Sequence, residues 1–267
     1  MSFNAAWLGL REPYDLRARN AAVIDAVVAA LAGRPSVTIV DLASGTGSTF
    51  RALRPRIKAH QSWRLADNNL SLLARAPQSS LSDTRVTTMP IDLNHDLEAA
   101  LDGLVDLVTT SALLDLVSDE WLQRLAVETA ARRLPIYAAL SYDGRIEMTP
   151  ADTADKKIIA AVNKHQRTDK GFGPALGPGA AQKAVERFER VGYSVVQGPS
   201  DWVFAPADRE IQIEILSGWA AAAREMGDVP VPDVVGWLTR RRDLVTAGRS
   251  SIRVGHVDFF ATPTETR

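Results

Sequence analysis

A loop of small residues follows a short apolar segment near the N-terminal third of the chain. Residues 37–40 (Val-Thr-Ile-Val) lead into Asp41, and Ala43-Ser44-Gly45-Thr46-Gly47 comes next. A continuous apolar run bounded by turn residues is typical of a strand buried on both faces. Glycine permits positive φ and a close approach of a ligand to the backbone. A helix beginning near Ser48 would also direct its free N–H groups at that ligand. The segment therefore predicts a cradle for a nucleotide-type cofactor at a strand end.

Two further acids stand at the ends of the next two predicted strands. Asp67 ends residues 63–67, and Asp92 follows residues 85–89. An acid at the tip of the second strand can accept hydrogen bonds from both ribose hydroxyls, as it does in NAD enzymes. The loop lacks the Gly-x-Gly-x-x-Gly spacing of dinucleotide-binding sites. Asp67 is compatible with either kind of cofactor, so the third acid, Asp92, is the residue that distinguishes them.

The elements that must position these residues alternate along residues 15–141. The apolar patterns predict strands and helices in turn, after an irregular segment at 1–14. The predicted strands are 37–41, 63–67, 85–89, 105–110 and 136–141, and the helices are 15–31, 48–58, 68–76, 96–101 and 118–132. Such alternation indicates a doubly wound (Rossmann-like) parallel sheet with its ligand at the carboxyl ends of the strands.

The alternation stops after residue 141. A Gly/Pro-rich loop at 170–179 separates the predicted helices, and three more strands follow with helices between them. The predicted helices are 152–168, 180–191, 208–226 and 233–246, and the strands are 193–197, 202–205 and 252–261.

The acids and the loop carry a family resemblance. Asp41 to Gly47 resembles motif I of class I S-adenosylmethionine (SAM)-dependent methyltransferases, with Ala43 as a mild departure from glycine. Ile91-Asp92-Leu93 resembles the position that accepts the adenine amino group, and Asp106-Leu-Val-Thr-Thr-Ser111 resembles motif IV. The resemblance implies an α/β fold whose seven-stranded, mostly parallel sheet has an antiparallel last strand at 252–261.

The same resemblance implies which residues hold SAM. Asp41, the loop and the end of motif IV would surround its methionine part, and Asp67 and Asp92 its ribose and adenine. The implied residues are Asp41, Ala43, Ser44, Gly45, Gly47, Asp67, Asn68, Asp92, Leu93, Thr110 and Ser111. Arg11, Tyr14 and Arg19 would close over the cofactor carboxylate, or else are surface residues of an amphipathic helix.

The domain organisation follows from this comparison. We expect a single domain over 1–267, with a SAM-binding core at 15–141. Residues 142–180 and 206–250 are expected to be insertions that form a substrate cap, since fold relatives often join the last two strands by a short hairpin.

Three residues beyond the strand ends are candidates for catalysis. Tyr142 directly follows the fifth strand, and its alternative is a packed side chain. His165 is the most suitable base because its ordinary pKa lies near neutrality, although a late helical histidine can simply interact with the helix dipole. Asp115 either faces the site after motif IV or caps the following loop.

Composition excludes several classes of function. With no cysteine, the chain has neither disulfides nor thiolate metal sites, and we expect no metal at the site. A net charge of −1 argues against nucleic acid or a membrane surface as the main partner. No signal-peptide pattern or transmembrane-length segment is present, so the expected location is the cytoplasm.

The sequence thus predicts a SAM-dependent methyltransferase acting on an oxygen or nitrogen atom of a small molecule. The alternatives are an NAD(P)-dependent Rossmann oxidoreductase, which would need a Tyr-x-x-x-Lys motif that is absent, and a non-catalytic SAM-binding protein. The sequence leaves the substrate and the oligomeric state open.

Overall fold

The computed structural model describes residues 4–77 and 83–264. Helices and strands alternate through the first half of this part of the chain. The helices are α1 (Ala5–Ala18), α2 (Ala21–Ala30), α3 (Ser48–Leu53), α4 (Leu70–Leu73), α5 (Leu97–Ala100), α6 (Asp119–Ala131), α7 (Asp155–His165), α8 (Ala180–Arg190), α9 (Arg209–Met226) and α10 (Val231–Thr246). The strands are β1 (Ser36–Leu42), β2 (His60–Asp67), β3 (Thr84–Pro90), β4 (Leu107–Ser111), β5 (Ile136–Thr149), β6 (Tyr193–Pro199), β7 (Trp202–Phe204) and β8 (Ser251–Pro263).

The strands form one sheet in the order β3-β2-β1-β4-β5-β8-β6, and β7 also pairs with β8. Strands β1 to β5 run parallel, whereas β8 is antiparallel to β5, β6 and β7. The predicted fold class, a mostly parallel sheet with an antiparallel last strand, is therefore confirmed. Over residues 4–77 and 83–264, the sheet has eight strands rather than the seven that the family resemblance implies, because the short predicted strand at 202–205 joins it as β7.

The central strands are buried because helices cover both faces of the sheet. Alternate residues of β1 enter different clusters: Val40 and Leu42 pack toward α5, α6 and α8, whereas Val37 and Ile39 pack toward α2 and α3. This alternation follows from the two-residue period of a strand. The parallel pairing of β1 with β2 and β4 brings the carboxyl ends of these three strands to one edge of the sheet.

The N-terminal region differs from the prediction. Residues 4–14 were expected to be irregular and 15–31 to form one helix, but the structure has two helices, α1 and α2. Asn4 and Asn20 cap them by accepting the N–H groups of Trp7 and Val23. Asp15, the first residue of the predicted helix, instead lies buried inside α1. Pro13 lies inside α1 and argues for a helix break in sequence reasoning. Residues 1–3 of the predicted irregular segment lie outside the described residues.

A further hydrophobic cluster lies beyond the carboxyl edge of the sheet. Strand β5 continues past its pairing with β4 at Ala139, and its extension 142–149 pairs with 251–256 of β8. Helices α7, α9 and α10 pack on this extension and on β7, with contacts from α1. We call α7, α9 and α10 the helical layer. Within the described ranges, no helix is long and apolar enough to cross a membrane.

Candidate functional site

A cavity of about 300 Å³ opens at the carboxyl ends of β1, β2 and β4. This is the edge where open α/β sheets bind their ligands. Its wall combines the loop after β1, the ends of β2 and β3, the loop after β4, helix α1 and the segment after α7. The lining residues are Leu8, Arg11, Asp15, Ala43, Ser44, Gly45, Thr46, Ser48, Thr49, Asp67, Asn68, Asn69, Leu72, Ile91, Leu93, Ser111, Ala112, Leu113, Leu116, Lys170 and Phe172.

The loop after β1 is held in a strained turn. Ala43, Gly45 and Gly47 all have positive φ, at 52°, 54° and 84°. The Ser44 N–H donates to the Ala66 carbonyl at 3.0 Å, and the Gly47 N–H donates to the Ser44 carbonyl at 2.8 Å. A left-handed conformation costs a non-glycine residue about 1–2 kcal/mol. The alanine at 43 is therefore a larger departure from glycine than the sequence suggests.

Asp67 closes the loop from the neighbouring strand. One carboxylate oxygen (Oδ2) accepts the Gly45 N–H and the other (Oδ1) accepts the Asn69 N–H, each at 2.8 Å. The two backbone donors fix the carboxylate at the cavity wall, beside Asn68. Each oxygen keeps a second lone pair, so this carboxylate can still accept hydroxyl donors from a ligand.

Asp41 lies behind the loop and does not line the cavity. It is fully buried, and Oδ1 accepts the Thr109 hydroxyl at 2.8 Å. Its other oxygen has no hydrogen-bond partner among the described residues. Burial raises the pKa of Asp41 to about 7, opposed by the Thr109 hydroxyl and by Arg19.

Arg19 is a buried cation beside the same cavity. Its guanidinium donates to the Tyr137 hydroxyl (3.2 Å) and approaches the hydroxyls of Thr49 (3.3 Å) and Ser111 (3.4 Å), both of which line the cavity. In turn, Tyr137 donates to Asp258 at 3.1 Å. Among the described residues, no carboxylate lies within ion-pair distance of Arg19, and its Nε has no acceptor. Arg19 itself is not part of the cavity wall, and its charge reaches the cavity through the hydroxyls of Thr49 and Ser111.

Helix α1 supplies an ion pair to the cavity wall: Arg11, which was expected to close over the cofactor carboxylate, and Asp15, which was not expected there. Arg11 Nε donates to Asp15 at 2.9 Å, and the other oxygen of Asp15 accepts the indole N–H of Trp202 at 2.9 Å. Arg11 also lies over the Trp202 ring, 5.2 Å from its centroid. Tyr14 faces away from this pair, since its hydroxyl donates to Asp208 at the start of α9. The signal in the sequence was the i, i+4 spacing of Arg11 and Asp15, which requires a helix there.

Besides Asp41 and Arg19, three more residues predicted to bind the cofactor do not line the cavity: Gly47, Asp92 and Thr110. Gly47 is buried and supplies the αL position before α3. The Thr110 hydroxyl donates to the Leu42 carbonyl at 3.0 Å, tying β4 to β1. Asp92 accepts the Asn94 N–H at 2.9 Å, while its neighbours Ile91 and Leu93 face the cavity. A direct cofactor contact by these side chains stays a prediction.

The structure does not bring the three catalytic candidates together at the cavity wall. The Tyr142 hydroxyl donates to Asn163 on α7 at 2.6 Å. Asp115 is buried with its Oδ1 unpartnered within the described part of the chain, and burial raises its pKa to about 6. His165 has Glu225 3.2 Å from Nε2 and Lys170 3.4 Å from Nδ1. Lys170, rather than His165, reaches the cavity.

Metal chemistry has no visible site in the described ranges, where no three His, Asp or Glu side chains are arranged to hold an ion.

Comparisons with known proteins find likeness in structure alone. No family model matches the chain, and no curated protein matches it. A cyclopropane-fatty-acyl-phospholipid synthase-like protein from Lactobacillus casei is 14% identical with a TM-score of 0.54, over 97% of this chain and 94% of that one. A Mycobacterium tuberculosis cyclopropane synthase is 10% identical (TM-score 0.49; 90% and 83% covered). A SAM-dependent methyltransferase from Thiobacillus denitrificans, solved with S-adenosyl-L-homocysteine, is 13% identical (TM-score 0.45; 98% and 100% covered). Together with the strand order and the antiparallel β8, the first of these shows that the chain has the class I methyltransferase fold.

Proposed function

We propose that this protein is a SAM-dependent methyltransferase that methylates an oxygen or nitrogen atom of a small molecule. The observation that carries the proposal is the closure of the β1 loop by Asp67, which places a carboxylate and a bare backbone turn on the wall of one cavity. A ribose diol needs such an acceptor, and a ligand without a pyrophosphate needs no long helix behind the turn. Helix α3, which follows the turn, is only six residues long.

The remaining parts of SAM match the other groups around this cavity. Arg19, buried without a carboxylate partner among the described residues, supplies the charge that a cofactor carboxylate requires. Ile91, Leu93 and Phe172 offer an apolar surface for an adenine. When bound, SAM would supply an electrophilic methyl group that an electron-rich atom can accept, with the thioether sulfur as the leaving group.

The chain's own contribution to such a displacement is orientation and the exclusion of water. We infer that residues 142–180 and 206–250 form the substrate cap. Their helices α7, α9 and α10 pack on the β5 extension, beyond the edge where the cavity opens. A cap built from a separate cluster can change its inner surface without disturbing the SAM-binding core at 15–141, which makes it suited to selecting a small substrate.

The test is calorimetric titration with S-adenosylhomocysteine (SAH) and, separately, with NADH. We expect SAH to bind and Asp67→Asn to weaken it about 10- to 100-fold, since a hydrogen bond to a charged group contributes about 1.5–3 kcal/mol. Asp106→Asn is the matched control: Asp106 also accepts a backbone N–H, from Thr38 at 2.8 Å, but at the opposite edge of the sheet. It should leave SAH affinity unchanged.

A second variant, Asp92→Ala, tests the adenine assignment, and a loss of SAH affinity is expected if its carboxylate reaches the ligand. Tight NADH binding without SAH binding would overturn the proposal in favour of an oxidoreductase.

A further inference from the structure

In the described part of the chain, Lys170 is the one lysine among the residues that line the cavity. It begins the Gly/Pro-rich segment after α7, and this segment is fastened across the cavity at several points. The Phe172 ring packs edge-on against Trp121 at 5.4 Å, and the Trp121 indole N–H donates to the Leu93 carbonyl at 2.7 Å. Asn94 donates to the Gly171 carbonyl at 3.1 Å. The backbone beside Lys170 is therefore held by the tertiary contacts of Gly171 and Phe172.

The amino group of Lys170 is held by neutral acceptors. Its Nζ lies 2.8 Å from the Thr168 hydroxyl and 3.4 Å from His165 Nδ1. No carboxylate within the described ranges lies at ion-pair distance from it. Lys164, six residues earlier on α7, differs in this respect, because its ammonium pairs with Asp228 at 2.7 Å.

His165 connects Lys170 to an acid on another helix. Its Nε2 lies 3.2 Å from Glu225 on α9, so a neutral imidazole that donates from Nε2 leaves the Nδ1 lone pair facing Lys170. The result is a continuous chain, Glu225–His165–Lys170, that runs from the surface to the cavity. Catalytic triads share this arrangement, in which an acid orients a base and the base contacts the reacting group.

The charged groups around Lys170 come from three elements: α9, its own loop and α1. Glu225 on α9 and Asp169 in the same loop favour its charged form, while Arg11 and Asp15 of α1 line the same cavity as a pair. Burial outweighs the two acids and lowers the pKa of Lys170. Burial, and then the nearby Lys170 charge, also lower the pKa of His165.

We propose that Lys170 is the catalytic base of this methyltransferase, with His165 and Glu225 as its positioning residues. The inference rests on the proposed function. The substrate's protonated oxygen or nitrogen attacks the methyl carbon, the new bond to carbon forms, and the carbon–sulfur bond breaks with its electron pair left on sulfur. The proton of the nucleophile passes to the neutral Nζ of Lys170. The resulting ammonium donates hydrogen bonds to His165 Nδ1 and to the Thr168 hydroxyl.

The other candidates are worse placed for this role. His165 has both ring nitrogens engaged and does not line the cavity. The Tyr142 hydroxyl donates a hydrogen bond to Asn163, and burial raises its pKa, so the phenol stays protonated and cannot accept the proton. Asp115 lies behind Leu113 and Leu116, which face the cavity in its place.

The first experiment measures the titration of single lysines by competitive acetylation with acetic anhydride, read by mass spectrometry across pH. We expect the midpoint of Lys170 to lie at a lower pH than that of Lys164, the exposed control on α7, and saturating SAH to protect Lys170 alone. Glu225→Gln removes an acid that favours the ammonium, so it should move the Lys170 midpoint to still lower pH and leave Lys164 unchanged. Glu225 is exposed, so this change spares the core.

The second experiment compares the dissociation constants of SAM and SAH, which differ in charge only at sulfur. A charged Lys170 beside the reacting centre repels the sulfonium. The ratio Kd(SAM)/Kd(SAH) should therefore fall at least about threefold as pH rises through the Lys170 midpoint, and should be flat in Lys170→Met. If neither ligand binds, the proposed function fails. If both bind but the wild-type ratio is flat, or Lys170 titrates like Lys164, the base assignment is wrong while the methyltransferase proposal stands.

Discussion

Replacing Asp41 by asparagine should change how the protein's stability depends on pH. Asp41 is wholly buried, accepts one hydroxyl hydrogen bond from Thr109 and leaves Oδ2 without a partner among the described residues. Its pKa is raised from 3.8 to about 7 by that burial. Since each pKa unit corresponds to 1.36 kcal/mol, ionising Asp41 in the folded state costs about 4 kcal/mol more than in the unfolded chain.

The sign of the effect follows from linkage. The folded state binds the proton more tightly than the unfolded state, so the contribution of protonated Asp41 is fully present below about pH 4. It is lost as pH rises toward 7, and above that value both states are ionised and the penalty is constant. Asparagine keeps an oxygen to accept the Thr109 hydroxyl and never ionises. Asp41→Asn should therefore match the wild type at pH 4 and exceed its unfolding free energy by up to about 4 kcal/mol at pH 8.

The measurement is urea unfolding of both proteins at intervals from pH 4 to pH 8.5. The difference in unfolding free energy should grow by about 1.4 kcal/mol per pH unit up to pH 7 and then level off. Asp25→Asn is the control, because Asp25 is an exposed residue paired with Arg56, and such changes stay within about 0.5 kcal/mol. Two parallel curves for wild type and Asp41→Asn would refute the reasoning.

Two further substitutions test the packing around the site. Ala43→Gly relieves a left-handed alanine at φ 52° and should raise the unfolding free energy by about 0.5 kcal/mol after the entropic loss. The control is Ala221→Gly at an exposed position in the middle of α9, which should lower the unfolding free energy by about 1 kcal/mol. Equal changes in the two chemical unfolding curves would contradict the proposed backbone strain at Ala43. Arg241→Met leaves the carboxylate of Asp155 buried without its charge partner and should cost about 3–5 kcal/mol. Arg253→Met is the control: the Arg253 side chain is half exposed, and its partner Asp201 keeps Arg145, so the change should cost less than about 1 kcal/mol. Similar thermal unfolding of both variants would show that burial of the arginine does not decide the effect.

Local pattern explains why the first five strands were predictable. The apolar composition of residues 37–41 predicts a strand buried on both faces, and the structure places β1 at Ser36–Leu42. The acid that ends each of the first two strands was also visible, and Asp67 lines the cavity beside the β1 loop. Both features depend on a few consecutive residues and on the alternation of strands and helices.

The N-terminal helix was missed because its sequence signals conflict. Pro13 lies inside α1 and argues locally for a break. What keeps the helix intact is packing: Asp15 accepts the indole N–H of Trp202, 187 residues away in the chain. The part of the cavity wall that Leu8 and Asp15 of this helix supply was missed with it, although Arg11 had been expected near the cofactor.

The amino-acid sequence by itself determined the parallel sheet, the turn after β1 and the acids at the strand ends, because these follow from short-range periodicity and from residue types that fit one backbone conformation. Only the tertiary structure decided which charges meet the cavity. It left Asp41 and Asp115 buried off the cavity wall and placed Lys170 in front of His165. The physical reason is that burial and the approach of distant segments set both the direction and the ionisation of a side chain. Neither is recorded in the spacing of residues along the chain.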